Sequence, residues 1–192
     1  MSLARLARLG ITPILGLTPL LGFGCSDPVP ATPKGAWSIS FESPGATCPV
    51  NGHNAVMGDV TDRTKKSVLV DGEGGASVDC RVSGSGSFTV SASASDVEKS
   101  VGMTLVINSI SPGATVDEPA TGGISFSSPT TGGEPAVSAN DMPCIFYFVP
   151  DSGEGVAEGK IWVAFQCDKM ILDQSDGCRI KQGYAIFENC ET

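Results

Sequence analysis

The sequence is poor in the groups that do chemistry. It holds one histidine, two tryptophans and two tyrosines, and charged residues make up only 17% of its 192 positions. A lone histidine and the lack of any C-x-x-C pair exclude the usual zinc spacings. A Ser-His-Asp hydrolase would have to be built on His53, without the G-x-S-x-G elbow that presents such a serine. Basic residues are scarce too: 12 Lys plus Arg against 21 Asp plus Glu give a net charge of −9. That balance argues against a phosphate-neutralising surface, so no nucleic-acid partner is expected. No nucleotide-binding glycine loop, N-x-[ST] sequon or sustained basic run occurs, and no cofactor is implied. What the chain does have is punctuation, 24 glycines and 13 prolines, together with seven cysteines.

The first 25 residues read MSLARLARLGITPILGLTPLLGFGC, with Arg5 and Arg8 ahead of an apolar stretch from Leu9 to Phe23 and no acidic residue. This is the layout of a secretory signal peptide. The stretch falls short of the roughly 20 apolar residues of a membrane-spanning helix, and Pro13 and Pro19 would break it further. It ends Leu20-Leu21-Gly22-Phe23-Gly24-Cys25, then Ser26 and Asp27. Gly24-Cys25 resembles the close of the lipobox in bacterial lipoprotein precursors, although Gly22 and Phe23 are not the residues usual there and Leu21 stands one place early. The resemblance implies a signal peptide over 1–24, cleavage before Cys25, and a diacylglyceryl group on Cys25 with a further acyl chain such as palmitate on the new N-terminus. It also implies a bacterial cell-envelope location, and Ser26 instead of Asp after the cysteine favours the outer membrane, on its periplasmic or cell-surface face.

The alternative is an ordinary cleavage site that releases a free secreted protein. Cysteine parity argues against it. Setting Cys25 aside leaves Cys48, Cys80, Cys144, Cys167, Cys178 and Cys190, an even number able to pair fully in an oxidising compartment. Six cysteines allow fifteen pairings, and the sequence does not choose among them. Cys80 and Cys167 lie in phase with core-facing residues, and Cys167 with Cys178 is a tempting local pair across Asp168 to Gly177.

Residues 25–35 carry the acylated cysteine and then SDPVPATPKG, a proline-rich tether with too little apolar surface to fold. From Ala36 to Thr192 the hydrophobic period is two. Trp37, Ile39 and Phe41 alternate with polar residues. Val78, Cys80 and Val82 do the same, then Phe88, Val90 and Ala92, with Ser83 to Gly86 as the turn of a hairpin. Further runs lie at 67–70, 101–107, 123–127, 144–149, 160–167 and 182–187. The stretch 95–101 is too short for more than a helical turn, and 109–119 and 128–140 read as long loops. About nine short strands with few helices indicate an all-β fold, an antiparallel sandwich or a barrel, with a disulfide-stapled β-sandwich over 36–192 as the first expectation. The runs 145–149 and 161–165, apolar on both faces, belong at sheet centres.

No residue stands out as catalytic. His53 sits in a turn-rich loop, Cys48 to Asn54. Carboxylates recur in loops: Asp59 and Asp62; Asp71 and Glu73; Asp151, Glu154 and Glu158; Asp173 and Asp176. Loop oxygens of this kind can gather around calcium, although none fits the EF-hand pattern. Asp173 and Asp176 are the best candidates for calcium because cysteines flank them. Trp162 and Tyr147 lie on the opposite strand phase from Val163 and Phe146 and could project outward to stack on a sugar or a partner, with Trp37 and Tyr184 as other possibilities. The leading expectation is a non-enzymatic, lipid-anchored envelope protein with a structural or partner-binding role. A glycan- or calcium-binding module is the alternative, and a secreted hydrolase ranks last.

Overall fold

The computed structural model of the protein describes residues 30–45, 47–62 and 65–192. The expected signal peptide, Cys25 and residues 26–29 of the expected tether lie outside the described residues. Alternation of apolar and polar residues sets the architecture. Fourteen strands follow in order: β1 Lys34–Glu42, β2 His53–Met57, β3 Asp59–Asp62, β4 Lys65–Ser67, β5 Leu69–Val70, β6 Ala76–Gly84, β7 Phe88–Asp96, β8 Val101–Ile110, β9 Ala120–Ser127, β10 Ala136–Ser138, β11 Cys144–Tyr147, β12 Gly155–Ala157, β13 Lys160–Leu172 and β14 Ser175–Glu188. The fold is an antiparallel β-sandwich. One layer runs β2-β1-β14-β13 and the other β9-β8-β7-β6, with β10 and β11 joining β13 to β9. The hairpin β3-β4 forms a small separate sheet.

The inward positions close one core. Trp37, Phe41, Phe126, Phe146, Phe165 and Phe187 are its largest fully buried side chains. Two contacts tie the layers directly: Trp37 Nε1 donates to the Ala94 carbonyl at 3.2 Å, and Phe41 meets Phe126 edge-on with ring centroids 5.0 Å apart. Edge-to-face pairs of this kind contribute beyond their buried area.

Three disulfides staple this core: Cys48–Cys178, Cys80–Cys190 and Cys144–Cys167. The local pairing of Cys167 with Cys178 is therefore corrected. The stretch from Asp168 to Gly177 is no loop but the tip of a long hairpin, in which Cys167 faces Ile180 and Cys178 faces Met170. The reversal is made by Asp173 and Gln174, at φ 49° and 62°, the left-handed pair that a two-residue hairpin turn demands. Among the described residues the strands likewise number fourteen and not about nine. Asp168 to Leu172, expected as part of a loop, continues β13 with Met170 and Leu172 inward. Within 128–140, a short 3₁₀ turn at Pro129–Thr131 and strand β10 break up the expected loop.

The sandwich's edge is covered. Residues 189–192 run alongside β6, where Val82 N–H donates to Glu191 O and Glu191 N–H to Cys80 O, both at 2.8 Å. The Cys80–Cys190 bridge pins this strap to β6. Unpaired edge groups invite pairing with other chains, and here those of Cys80 and Val82 are satisfied internally.

Candidate functional site

The outer face of the β2-β1-β14-β13 layer carries most of the side chains that could recognise a ligand. On strands whose other face fills the core, outward positions are set by pleat alone. Cross-strand register groups them in rows. One row runs Tyr147, Ala164, Tyr184, Ser38, Val56 across β11, β13, β14, β1 and β2, and the next brings Gln166, Gln182, Ser40 and Asn54 alongside it. A tyrosine row therefore lies beside an amide row. Hairpin β3-β4 covers one end of this face: Val60 packs on Ala36 and Ile186, with Val68, Trp162 and Tyr184 at its margin. Beyond the hairpin a groove of about 360 Å³ remains, lined by Ser38, Ser40, Asn54, Val56, Gln182 and Tyr184.

The amides are held in place. Gln166 Nε2 donates to the Tyr147 hydroxyl at 3.1 Å and Gln182 Nε2 to the same oxygen at 3.4 Å, while Gln166 Nε2 also reaches Gln182 Oε1 at 3.4 Å. Tyr147 is buried, so it orients its neighbours instead of stacking on a ligand. Trp162 is half-buried, with the Lys66 ammonium 5.4 Å from its ring centroid, close enough for cation–π attraction. It lines a second groove of about 340 Å³ with Val156, Lys160 and Glu188. Its Nε1 is buried and meets no hydrogen-bond partner among the described residues.

Ion pairs bound this face at both ends. Glu188 bonds Lys66 at 2.8 Å and Lys34 at 3.0 Å, and these hydrogen bonds, Lys66 first, hold its carboxyl below the usual value despite partial burial. At the other end Glu42 accepts from Arg179 Nε at 3.0 Å and pairs with Lys181 at 3.2 Å, so its carboxyl too is lowered, chiefly by Arg179. Between the two groups the rows above carry no charged side chain.

The remaining candidates are placed elsewhere. His53 lies over Phe41, with ring centroids 5.3 Å apart. Its Nδ1 lies 3.0 Å from Asn51 O and its Nε2 2.9 Å from Ser128 Oγ. That is the spacing of a Ser-His pair, but Ser128 is 2% exposed and its hydroxyl accepts the Thr131 N–H in a capping box. A nucleophile needs room for an acyl group beside it; this serine is enclosed and holds a turn. Asp173 occupies the hairpin turn, and Asp176 pairs with Lys169, which Asp141 also contacts, both at 3.2 Å. The two carboxylates hold the Lys169 ammonium above its usual pKa, Asp141 contributing most. Other loop carboxylates serve the backbone: Asp71 accepts from Val78 N–H and Glu154 from Val149 N–H. Among the described residues no three His, Cys, Asp or Glu side chains gather as a metal would require.

Sequence reasoning named Trp162, Tyr147 and Tyr184 but passed over Gln166, Gln182, Ser38, Ser40 and Asn54. The signal was present. Gln182 and Tyr184 alternate with the buried Gly183 and Ala185, and Gln166 shares its phase with Trp162. Comparison with family models, with curated proteins and with solved structures finds no match, so what this domain does has to be argued from its own geometry.

Proposed function

We propose that the protein is a lipid-anchored cell-envelope protein whose β-sandwich is held on a short proline-rich tether and works by binding a partner, without catalysis. One observation carries the reading. Cys48, Cys80, Cys144, Cys167, Cys178 and Cys190 pair entirely among themselves, which leaves Cys25 as the odd thiol, placed directly after an apolar leader and eight residues ahead of Pro33, just before β1 begins at Lys34. Buried cystines in an exported domain and a lone cysteine at the leader junction are what acylation at that cysteine calls for. Two or more acyl chains anchor stably, at about 0.8 kcal/mol per buried methylene, where one alone is marginal. An outer-membrane address follows from Ser26. The enclosed Ser128 and the backbone-bound carboxylates support a binding role over hydrolysis.

The test is intact mass of the protein purified from a bacterial envelope, with and without reduction and alkylation. A mass beginning at Cys25 with acyl chains, and six thiols released by reduction, is expected; Cys25→Ser should move the protein to the soluble fraction. An unacylated product in the membrane-free fraction would overturn the anchored reading.

A further inference from the structure

We infer that the open part of the β2-β1-β14-β13 face binds an uncharged glycan chain. The inference deepens the binding role proposed above and names its ligand class; it does not depend on the lipid anchor.

The argument begins with charge. The chain carries −9 overall, yet the two rows across this face consist of hydroxyls, carboxamides, an alanine, a valine and tyrosine rings. Among the described side chains, the charged groups at the two ends of this face are matched: Glu42 with Arg179 and Lys181, Glu188 with Lys34 and Lys66. Along these rows an ionic ligand would find no charge to meet among the described side chains, and it would lose its own hydration without recompense. A neutral ligand loses nothing by that, provided it can offer both hydrogen-bond donors and acceptors.

The side chains fit such a ligand. A pyranose has apolar C–H faces and an equatorial fringe of hydroxyls. Tyr184 supplies ring surface along the groove, with Val56 opposite as a second apolar wall. Asn54, Gln182, Ser38 and Ser40 line the same groove with groups that both donate and accept, and Gln166 stands beside Gln182. Sugar recognition also requires these groups to be ordered beforehand, since immobilising each long side chain at binding costs affinity. Here the Tyr147 hydroxyl, itself buried, takes a hydrogen bond from both glutamines. Their amides are thus fixed while the acceptor oxygen of Gln166 meets no partner among the described residues. At about 360 Å³ the groove lies in the range of small-ligand clefts, about 300–1,000 Å³. It runs along an open sheet face, which suits a segment of a longer chain.

The opposite outer face gives the contrast. Its rows, such as Ser77, Ser95, Gly102 and Ser127, or Asp79, Ser93, Thr104 and Ser125, hold small hydroxyls and a carboxylate but no ring. The amides on that side, Asn108 and Asn140, line a separate groove without an aromatic ring.

The experiment uses the full chain, expressed with its leader and purified in detergent. Isothermal titration is run with maltohexaose, cellohexaose, mannohexaose and chitohexaose as neutral probes and with hexagalacturonate as an anionic one. Binding of at least one neutral probe is expected, with hexagalacturonate at least tenfold weaker. Tyr184→Leu should weaken the bound probe tenfold or more, and Gln182→Ala or Tyr147→Phe fivefold or more, with circular dichroism and thermal melting unchanged enough to show a folded domain. Ser93→Ala on the opposite face should leave affinity alone. Silence with all four neutral probes, tighter binding of hexagalacturonate, or a folded Tyr184→Leu variant with full affinity would each overturn the inference. Acylation at Cys25, read separately by mass, stands or falls by itself, so loss of the glycan site and loss of the anchor are distinguishable.

Discussion

Removing the Cys80–Cys190 bridge provides the sharpest test of how this sandwich is held together. The two cysteines are 110 residues apart. By the chain-entropy account, closing a loop of that length lowers the entropy of the unfolded chain enough to contribute about 4.8 kcal/mol at 25 °C. The other bridges change the sum. With Cys48–Cys178 intact, the shortest path from residue 80 to residue 190 runs back to residue 48, across that bridge and on from residue 178, about 44 residues, so the expected loss falls to about 4 kcal/mol. The same reasoning gives about 4 kcal/mol for Cys48–Cys178. Cys144–Cys167, separated by 23 residues, has no shorter detour and should contribute about 3.4 kcal/mol. Removing both long bridges should cost about 9 kcal/mol, roughly 1 more than the two single losses added, because each bridge shortens the other's loop. Paired Cys→Ala variants unfolded in guanidinium and followed by tryptophan fluorescence give these values, with a larger m-value where the unfolded chain is freer. If loss of Cys144–Cys167 proves the costliest, or the double loss is no greater than the sum, the entropic reasoning is wrong here.

Other expectations follow from single sites. Ser128→Ala removes both the capping box and the hydroxyl facing His53; it should cost about 1–2 kcal/mol in chemical denaturation, and a pH-dependent esterase signal that vanishes with it would contradict the structural role. Gly183→Ala sets a Cβ against the Phe165 ring, which is fully buried; overpacking of about 1–3 kcal/mol is expected from thermal melts, and an unchanged melt would show that the ring moves freely. Glu188 has its pKa lowered by folding, so its contribution is complete above the ordinary value of 4.5 and drains away as pH falls through the lower folded value. Urea titrations from pH 7 to 2.5 should therefore show a shallower acid loss for Glu188→Gln than for the parent, and parallel curves would remove the linkage.

Much of the fold was legible because strands alternate. Trp37, Ile39 and Phe41 point inward as their spacing requires, and the expected β6-β7 hairpin forms, with its turn at 85–87 and Ser83 and Gly84 still paired as strand. Where the reading failed, the cause was local. Asp168 to Gly177 is rich in turn formers, yet pairing with β14 carries it as strand almost to the tip, since a ladder partner outweighs weak local preference. Disulfide partners were not legible at all: Cys48 and Cys178 are 130 residues apart and meet only through the packing of the layers. The candidate face was half legible. Its aromatics announced themselves, but glutamine and serine are common on any solvated strand, and only cross-strand register reveals that Gln166 and Gln182 share a hydroxyl with Tyr147.

The placement of β1 has a consequence for how the chain is made. The first strand of the sandwich pairs along its whole length with β14, Lys34 against Glu188 and Glu42 against Arg179, so this ladder, unlike those with β2 and β5, cannot begin until residues 175–188 exist. At a synthesis rate of about 5–20 residues per second, the intervening stretch of roughly 150 residues takes about 8–30 s to emerge. Throughout that interval β1 lacks its central partner, and Cys48 and Cys80 lack theirs. The β1-β14 seam is thus obliged to stay open until β14 is made, while the hairpins of β6-β7-β8-β9 have their partners much earlier. Until β14 arrives neither this seam nor the two long cystines can lock the fold, and the chain is easier to draw out than the finished sandwich.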